Sequence, residues 1–104
     1  AASLGYANAI GMAGGDAMSN DVVIKAYEEA NMKMHKDMAI KLTGDADADF
    51  VRGMIPPHQG AIDMAKVVLE HGKDPEIRKL AEGVITAQEG EIAFMKEWLK
   101  KNGK

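Results

Sequence analysis

The chain of 104 residues is long enough for one domain with a single hydrophobic core. Its net charge of −3 comes from 13 basic and 16 acidic side chains without a basic stripe, which argues against a nucleic-acid partner. No apolar run approaches the length of a membrane span, and the absence of cysteine excludes a disulfide framework and a thiol nucleophile.

The first 18 residues differ from the rest of the chain in being small and weakly polar. Glycines at positions 11, 14 and 15 favour a flexible or weakly helical segment, and a short additional helix is the alternative. Ala7-Asn8-Ala9 is similar to the small-residue end of a secretory signal, although no charged or long apolar region precedes it. We therefore expect this segment, residues 1–18, to precede a helical domain at residues 19–104.

The first predicted helix runs from about Ser19 to Leu42. Ser19 or Asn20 is a suitable cap, and Gly44 is a residue on which a helix can end. Apolar side chains recur at spacings of three and four, which indicates a helix with one buried face. This stripe consists of Val23, Tyr27, Ala30, Met34 and Met38.

The second predicted helix runs from about Asp47 to His71, with Gly72 as its stop signal. Asp45, Asp47 and Asp49 lie at its start, where caps and acidic first-turn residues belong. Proline inside a helix removes a backbone donor and clashes with the carbonyl four residues back. Pro56-Pro57 therefore predicts a kink, or a break after about Gly53. The apolar stripe of this helix consists of Phe50, Met54, His58, Ala61, Ala65, Val68 and Leu69.

The third predicted helix runs from about Asp74 to Lys101, because Asp74-Pro75-Glu76 reads as a cap, a proline at the first helical position and an acidic first turn. Its stripe consists of Ile77, Ala81, Val84, Gln88, Ile92, Met95 and Leu99. The connections are short and no segment shows strand alternation. The sequence thus predicts an all-α, antiparallel bundle of three long helices.

Methionine and histidine cluster on the first two predicted helices. Met34-His35-x-x-Met38 lies on one, and Met54-x-x-x-His58 with Met64 lies on the next. Thioether sulfur is a soft ligand and imidazole a borderline one, so this set suits Cu(I) or Ag(I) better than Mg, Ca or an iron-carboxylate centre. If the two helices lie side by side, these atoms meet in one seam, and Met95 on the third helix could complete the set.

Ordinary packing explains part of the same pattern. Methionine fills irregular core gaps, and a single histidine on an apolar face is more often a hydrogen-bonded core residue than a ligand. For Met95 a core role is favoured, and for Met54 the two roles are evenly balanced. The combination of His35 and His58 with flanking methionines favours a metal, because few polar partners for these rings are evident on the same faces.

Enzymatic chemistry finds little support. The chain has no Glu-x-x-His pair for a di-iron carboxylate centre and no glycine-rich phosphate loop after a strand. Its only serines, Ser3 and Ser19, lie near the N-terminus without a base nearby in sequence. We expect a protein without catalytic activity.

The segment DFVRGMIPPHQGAIDMA, residues 49–65, resembles the core of the family called domain of unknown function 305 (DUF305), which reads D-F-x-x-x-M-I-P-H-H-Q-G-A-I-D-M-A. Residues 88–99 are similar to that family's Q-x-x-E-I-x-x-M-x-x-W-L, and residues 34–38 to its M-H-x-x-M. The resemblance implies a ferritin-like helical bundle, usually exported, with some members binding copper. The ligand candidates that it carries over are Met34, His35, Met38, Met54, His58, Met64 and Met95.

One position departs from the family pattern, because Pro57 stands where the family has the first histidine of a pair. A nitrogen ligand is thereby lost on the helix edge that position 57 shares with Met64. The expectation is an exported protein, periplasmic or secreted, that binds Cu(I) or Ag(I) for copper handling or tolerance. The alternative is a metal-free helical module for interaction or homo-oligomerisation, with the methionine stripes as core.

Overall fold

Three helices make up the part of the chain that the computed structural model describes, residues 16–104. They are α1 (Asp16–Asp37), α2 (Ala46–His71) and α3 (Pro75–Lys101), and these residues contain no strand. The predicted all-helical class is therefore confirmed. The short N-terminal helix considered above lies outside the described residues. None of the helices is both long and apolar enough to cross a membrane.

Helix α1 is displaced from its predicted bounds at both ends. It begins at Asp16, so Ser19 and Asn20 lie inside the helix and not at its cap, and it ends five residues before Leu42. The sequence up to Leu42 has helical periodicity, but Gly44, with φ +95°, lies in the loop well beyond the helix end. After Asp37 the backbone leaves the α-helical pattern, because the N–H of Ala39 bonds to the carbonyl of Lys36 and that of Ile40 to the carbonyl of Met38.

In the loop between α1 and α2, several hydrogen bonds converge on the side chain of Asp49. Its carboxylate accepts the backbone N–H groups of Thr43 and Gly44 and the Thr43 hydroxyl, over 2.9–3.1 Å. These bonds hold Thr43 and Gly44, just before α2, in a fixed turn. The backbone N–H of Thr43, followed by that of Gly44, holds the pKa of Asp49 below its ordinary value.

Local caps begin the other two helices as predicted. The Asp45 side chain accepts the N–H groups of Asp47 and Ala48 at the start of α2, at 3.0 and 3.1 Å. Asp74 accepts those of Glu76 and Ile77 at 2.9 and 3.2 Å, with Pro75 at the first position of α3.

Helix α2 continues through both prolines from Ala46 to His71, so the predicted break is wrong. A kink stays a prediction. Pro56 and Pro57 contribute no backbone donor, but Pro56 is buried, and α2 packs against both α1 and α3. Contacts on both sides hold the helix together where its own propensity is low.

Arginine side chains form hydrogen bonds between α2 and α3 near both ends of the helix pair. Arg78, in the first turn of α3, donates to the carbonyls of Leu69 and Gly72 at 2.7 and 3.1 Å. At the far end, Arg52 of α2 donates to the carbonyl of Lys104 at 2.5 Å. These bonds align α2 with α3 along their lengths.

The hydrophobic core lies between α2 and α3. Ile62, Ile92 and Met95 are buried there, with Met54 and Ile85 among the partly buried side chains that pack against them. The predicted stripes are wider than this core: Met38 is 48% exposed, Phe50 65% and Ile77 48%. A neighbouring helix covers only part of an apolar face, so the outer members of each stripe remain at the surface.

Candidate metal site between α2 and α3

An open groove of about 630 Å³ runs between α2 and α3. Three of the predicted ligands, Met54, His58 and Met95, line it together. The remaining lining comes from the residues Phe50, Thr86, Ala87, Gly90, Glu91 and Phe94. Its wall is mostly apolar, so a polar group in it is partly withdrawn from water.

His58 is the polar centre of the groove, and its side chain is 13% exposed. Its Nδ1 lies 2.7 Å from the carbonyl oxygen of Met54, one turn earlier in α2. A carbonyl can only accept, so Nδ1 carries a proton and donates it. A ligand of this ring would therefore have to bind at the other nitrogen, Nε2.

Glu91 of α3 faces that atom, with its Oε1 2.5 Å from Nε2 of His58. The Glu91 side chain is 60% exposed, so it lies at the mouth of the groove. Because Nδ1 already holds a proton, this contact needs a second proton between Nε2 and the carboxylate. The expectation that His58 would find few polar partners is wrong, since the partner comes from another helix.

Met54 and Met95 belong both to the groove and to the core. Met95 is 7% exposed and buried with Ile62 and Ile92, and Met54 packs against the same cluster. The core role favoured for Met95 is thus confirmed, yet its side chain also lines the groove beside His58. The groove brings together one imidazole, two thioethers and one carboxylate.

Met34 of α1 lies elsewhere, against Gly60 of α2. A Cβ atom added at Gly60 would come within 2.6 Å of the Met34 sulfur. Gly60 follows His58 by two residues, which is about 200° around a helix. Met34 therefore packs on the far side of α2 from His58, and the single seam expected from α1 and α2 is not formed.

The other edge residues of α2 lie near Met34. Pro57 and Met64 are three residues before and four residues after Gly60, so they flank its position on the helix surface. Met64 is 42% exposed and Pro57 is partly buried. Pro57 is also three residues after Met54, so it lies between the two sides of α2, and it is not among the residues that line the groove.

His35 and Met38 are exposed near the end of α1, as is Met32, at 70%. Within residues 16–104, no three side chains from among histidine, cysteine, aspartate and glutamate are placed to hold a metal ion together. A metal site there would depend on methionine sulfur. Glu91 was missed by the sequence interpretation, although it lies four residues before Met95 and hence on the same side of α3.

Residues 47–104 match the family described as Domain of unknown function (DUF305). The chain belongs to this family. The DUF305 match includes α3 and all of α2 except its first residue, and so contains the whole groove, whereas Met34, His35 and Met38 precede it.

One relative is the uncharacterised protein L153 of Acanthamoeba polyphaga mimivirus, which is 43% identical over 49 residues. That alignment covers 47% of this chain and 32% of the relative, so it spans about a third of the viral protein's length.

Proposed function

We propose that this DUF305 protein binds Cu(I) or Ag(I) in the groove between α2 and α3. The ligands are Nε2 of His58 and the sulfur atoms of Met54 and Met95. Soft thioethers with one imidazole select monovalent copper and silver over harder ions. The role is copper handling or tolerance in an exported, periplasmic or secreted protein without catalytic activity.

The hydrogen bond from Nδ1 of His58 to the Met54 carbonyl carries this proposal. Histidines that bind metals almost always donate their second ring N–H to a carbonyl or carboxylate, which fixes the tautomer and the ring orientation. His58 has this hydrogen bond already, its Nε2 lies against Glu91, and its side chain lines the groove together with two methionines.

Glu91 competes with the metal for Nε2 of His58, which it contacts in the structure. A carboxylate is a hard ligand that suits Cu(I) poorly, and the mostly exposed Glu91 side chain has room to turn away. Glu91→Ala removes the competitor for Nε2, so it should tighten Cu(I) binding severalfold. Weaker Cu(I) binding in this variant would indicate that Glu91 is itself a ligand, and would contradict the proposal that it competes with the metal.

An anaerobic titration of the full chain with Cu(I) against a strong chelator tests the proposal, with Ag(I) and Zn(II) for comparison. Cu(I) and Ag(I) should bind tightly and Zn(II) weakly. His58→Ala should weaken Cu(I) binding. The matched control is His71→Ala, since His71 lies on the same helix about 20 Å away along its axis. Tighter binding of Zn(II) than of Cu(I) would contradict the soft site.

A metal-free interaction module is the second candidate, and the exposure of Phe50 and Phe94 beside the groove favours it. Large exposed aromatic side chains that lie together are typical of protein contact surfaces. If neither Cu(I) nor Ag(I) binds detectably, this reading replaces the first.

For the fold, we propose the antiparallel, ferritin-like arrangement that the family resemblance implies. Its support is the pairing of chain ends, in which Arg78 reaches the end of α2 and Arg52 reaches the residues after α3.

A further inference from the structure

Helix α3 has an exposed seam that the rest of the described chain leaves uncovered. Its members recur at alternating steps of four and three residues, the spacing by which two helices pack along their length. All eight are exposed: Glu76, Leu80, Gly83, Ala87, Gly90, Phe94, Glu97 and Lys101. We refer to these residues as the α3 seam.

The middle of the α3 seam is apolar and uneven in height. Leu80 is 62% exposed and Phe94 70%, whereas Gly83 and Gly90 leave hollows, since a Cβ added at either would meet nothing within 4 Å. Glycine inside a helix lowers its stability relative to alanine, and the described residues give these two glycines no contact in return. Hollows beside large knobs are the surface that a second helix needs for close approach.

The α3 seams of two copies of the chain are complementary when the two helices run antiparallel. A twofold axis midway between Ala87 and Gly90 pairs every seam position with another seam position. Phe94 then lies over the second copy's Gly83, and Ala87 over its Gly90. A large side chain meets a hollow twice, once for each copy.

The charges at the two ends of the α3 seam fit the same register. Glu76 meets the second copy's Lys101. Glu97 lies opposite the second copy's Leu80 and beside its Lys79, which borders the seam. Parallel pairing would instead set Glu76 against Glu76, Lys101 against Lys101 and Phe94 against Phe94. Like charges and equal bulk disfavour that arrangement.

We propose that two copies of this chain form a symmetric, antiparallel dimer through the α3 seam. The contact uses apolar side chains at its centre and opposite charges at its ends, as expected for an isologous interface. Ala87, Gly90 and Phe94 of the seam also line the groove, but no seam residue is among the proposed ligands, so the dimer is tested on the metal-free chain.

Sedimentation equilibrium of the metal-free full chain, from about 1 µM to about 1 mM, tests the dimer. We expect a monomer–dimer equilibrium. Gly83→Leu fills the hollow for Phe94 and should raise the dissociation constant roughly tenfold or more, while leaving helix content by circular dichroism unchanged. The matched control is Glu82→Leu, which adds the same side chain one position outside the seam and should leave the constant unchanged.

Charge reversal tests the register. Lys79→Glu and Glu97→Lys should each raise the dissociation constant, roughly tenfold, because symmetry applies each change twice. The double variant Lys79→Glu/Glu97→Lys restores both pairs and should return the constant to near its original value. A monomer throughout the concentration range would overturn the dimer, and a double variant as weak as the single ones would overturn the antiparallel register.

Discussion

The two sides of α2 carry similar residues in different surroundings. On the α1 side, Met34 presses against Gly60 in close contact. On the α3 side, Met54 and His58 line an open groove with polar access at Glu91. The same residue type at helical spacing is therefore packed differently on the two sides of α2: Met34 makes a close contact with a neighbouring helix, whereas Met54 borders an open groove.

The largest expected effect is the difference in the free energy of unfolding between truncating a buried methionine and truncating an exposed one. Met95→Ala should lower the free energy of unfolding by about 2–5 kcal/mol, because it leaves a cavity beside Ile62 and Ile92. Met64→Ala should change it by less than about 0.5 kcal/mol, since that side chain is already at the surface. Chemical denaturation of both metal-free variants measures the difference, and equal losses would show that the two sides of α2 are packed alike.

The next effect tests the close contact on the α1 side. Gly60→Ala and Gly53→Ala both gain helix propensity, but only the new methyl group at Gly60 meets Met34. At Gly53 it would lie 3.9 Å from Ile40 Cδ1, an ordinary van der Waals contact. Relative to Gly53→Ala, Gly60→Ala should be less stable by about 1–3 kcal/mol. If the two variants are equally stable, Met34 is not held against α2.

Much of the fold could be predicted from the sequence because its signals are local. The caps at Asp45 and Asp74, and Pro75 at the first position of α3, act within one turn of their helix, so their meaning does not depend on distant residues. The early end of α1 could not be predicted in this way, because the apolar periodicity continues to Leu42 although the helix ends at Asp37.

The candidate site could be predicted only in part, for a related reason. Periodicity identified Met54, His58 and Met95 as inward-facing, and they do line one groove. Periodicity along one helix does not show which helix lies opposite. The assignment of Met34 to the same seam and the omission of Glu91 both follow from that limit.

The smallest expected effect concerns the loop that joins the two sides. Hydrogen bonds from Thr43 and Gly44 lower the pKa of Asp49 from its ordinary value of 3.8 in the folded chain. Because the pKa of Asp49 is lower in the folded chain, its carboxylate stabilises the fold at pH values above the ordinary pKa. This stabilisation is lost as the pH falls from there through the folded-state pKa.

Thermal unfolding at about pH 7 and about pH 2 measures this contribution. Asp49→Asn should melt below the original chain at the higher pH, and the gap should narrow at the lower pH, where the carboxylate of the original chain is protonated. A gap that is equal at both pH values would show that the charge of Asp49 contributes nothing to the cap.

Nuclear magnetic resonance of the imidazole nitrogens during addition of Cu(I) tests the central claim most directly, because the chain has three histidines in different surroundings. The account predicts that Nε2 of His58 shifts on binding, while Nδ1 keeps its proton on the Met54 carbonyl and the rings of His35 and His71 stay unchanged. A shift at His35 with His58 unaffected would contradict it, because the metal would then lie at the exposed end of α1 and not in the groove.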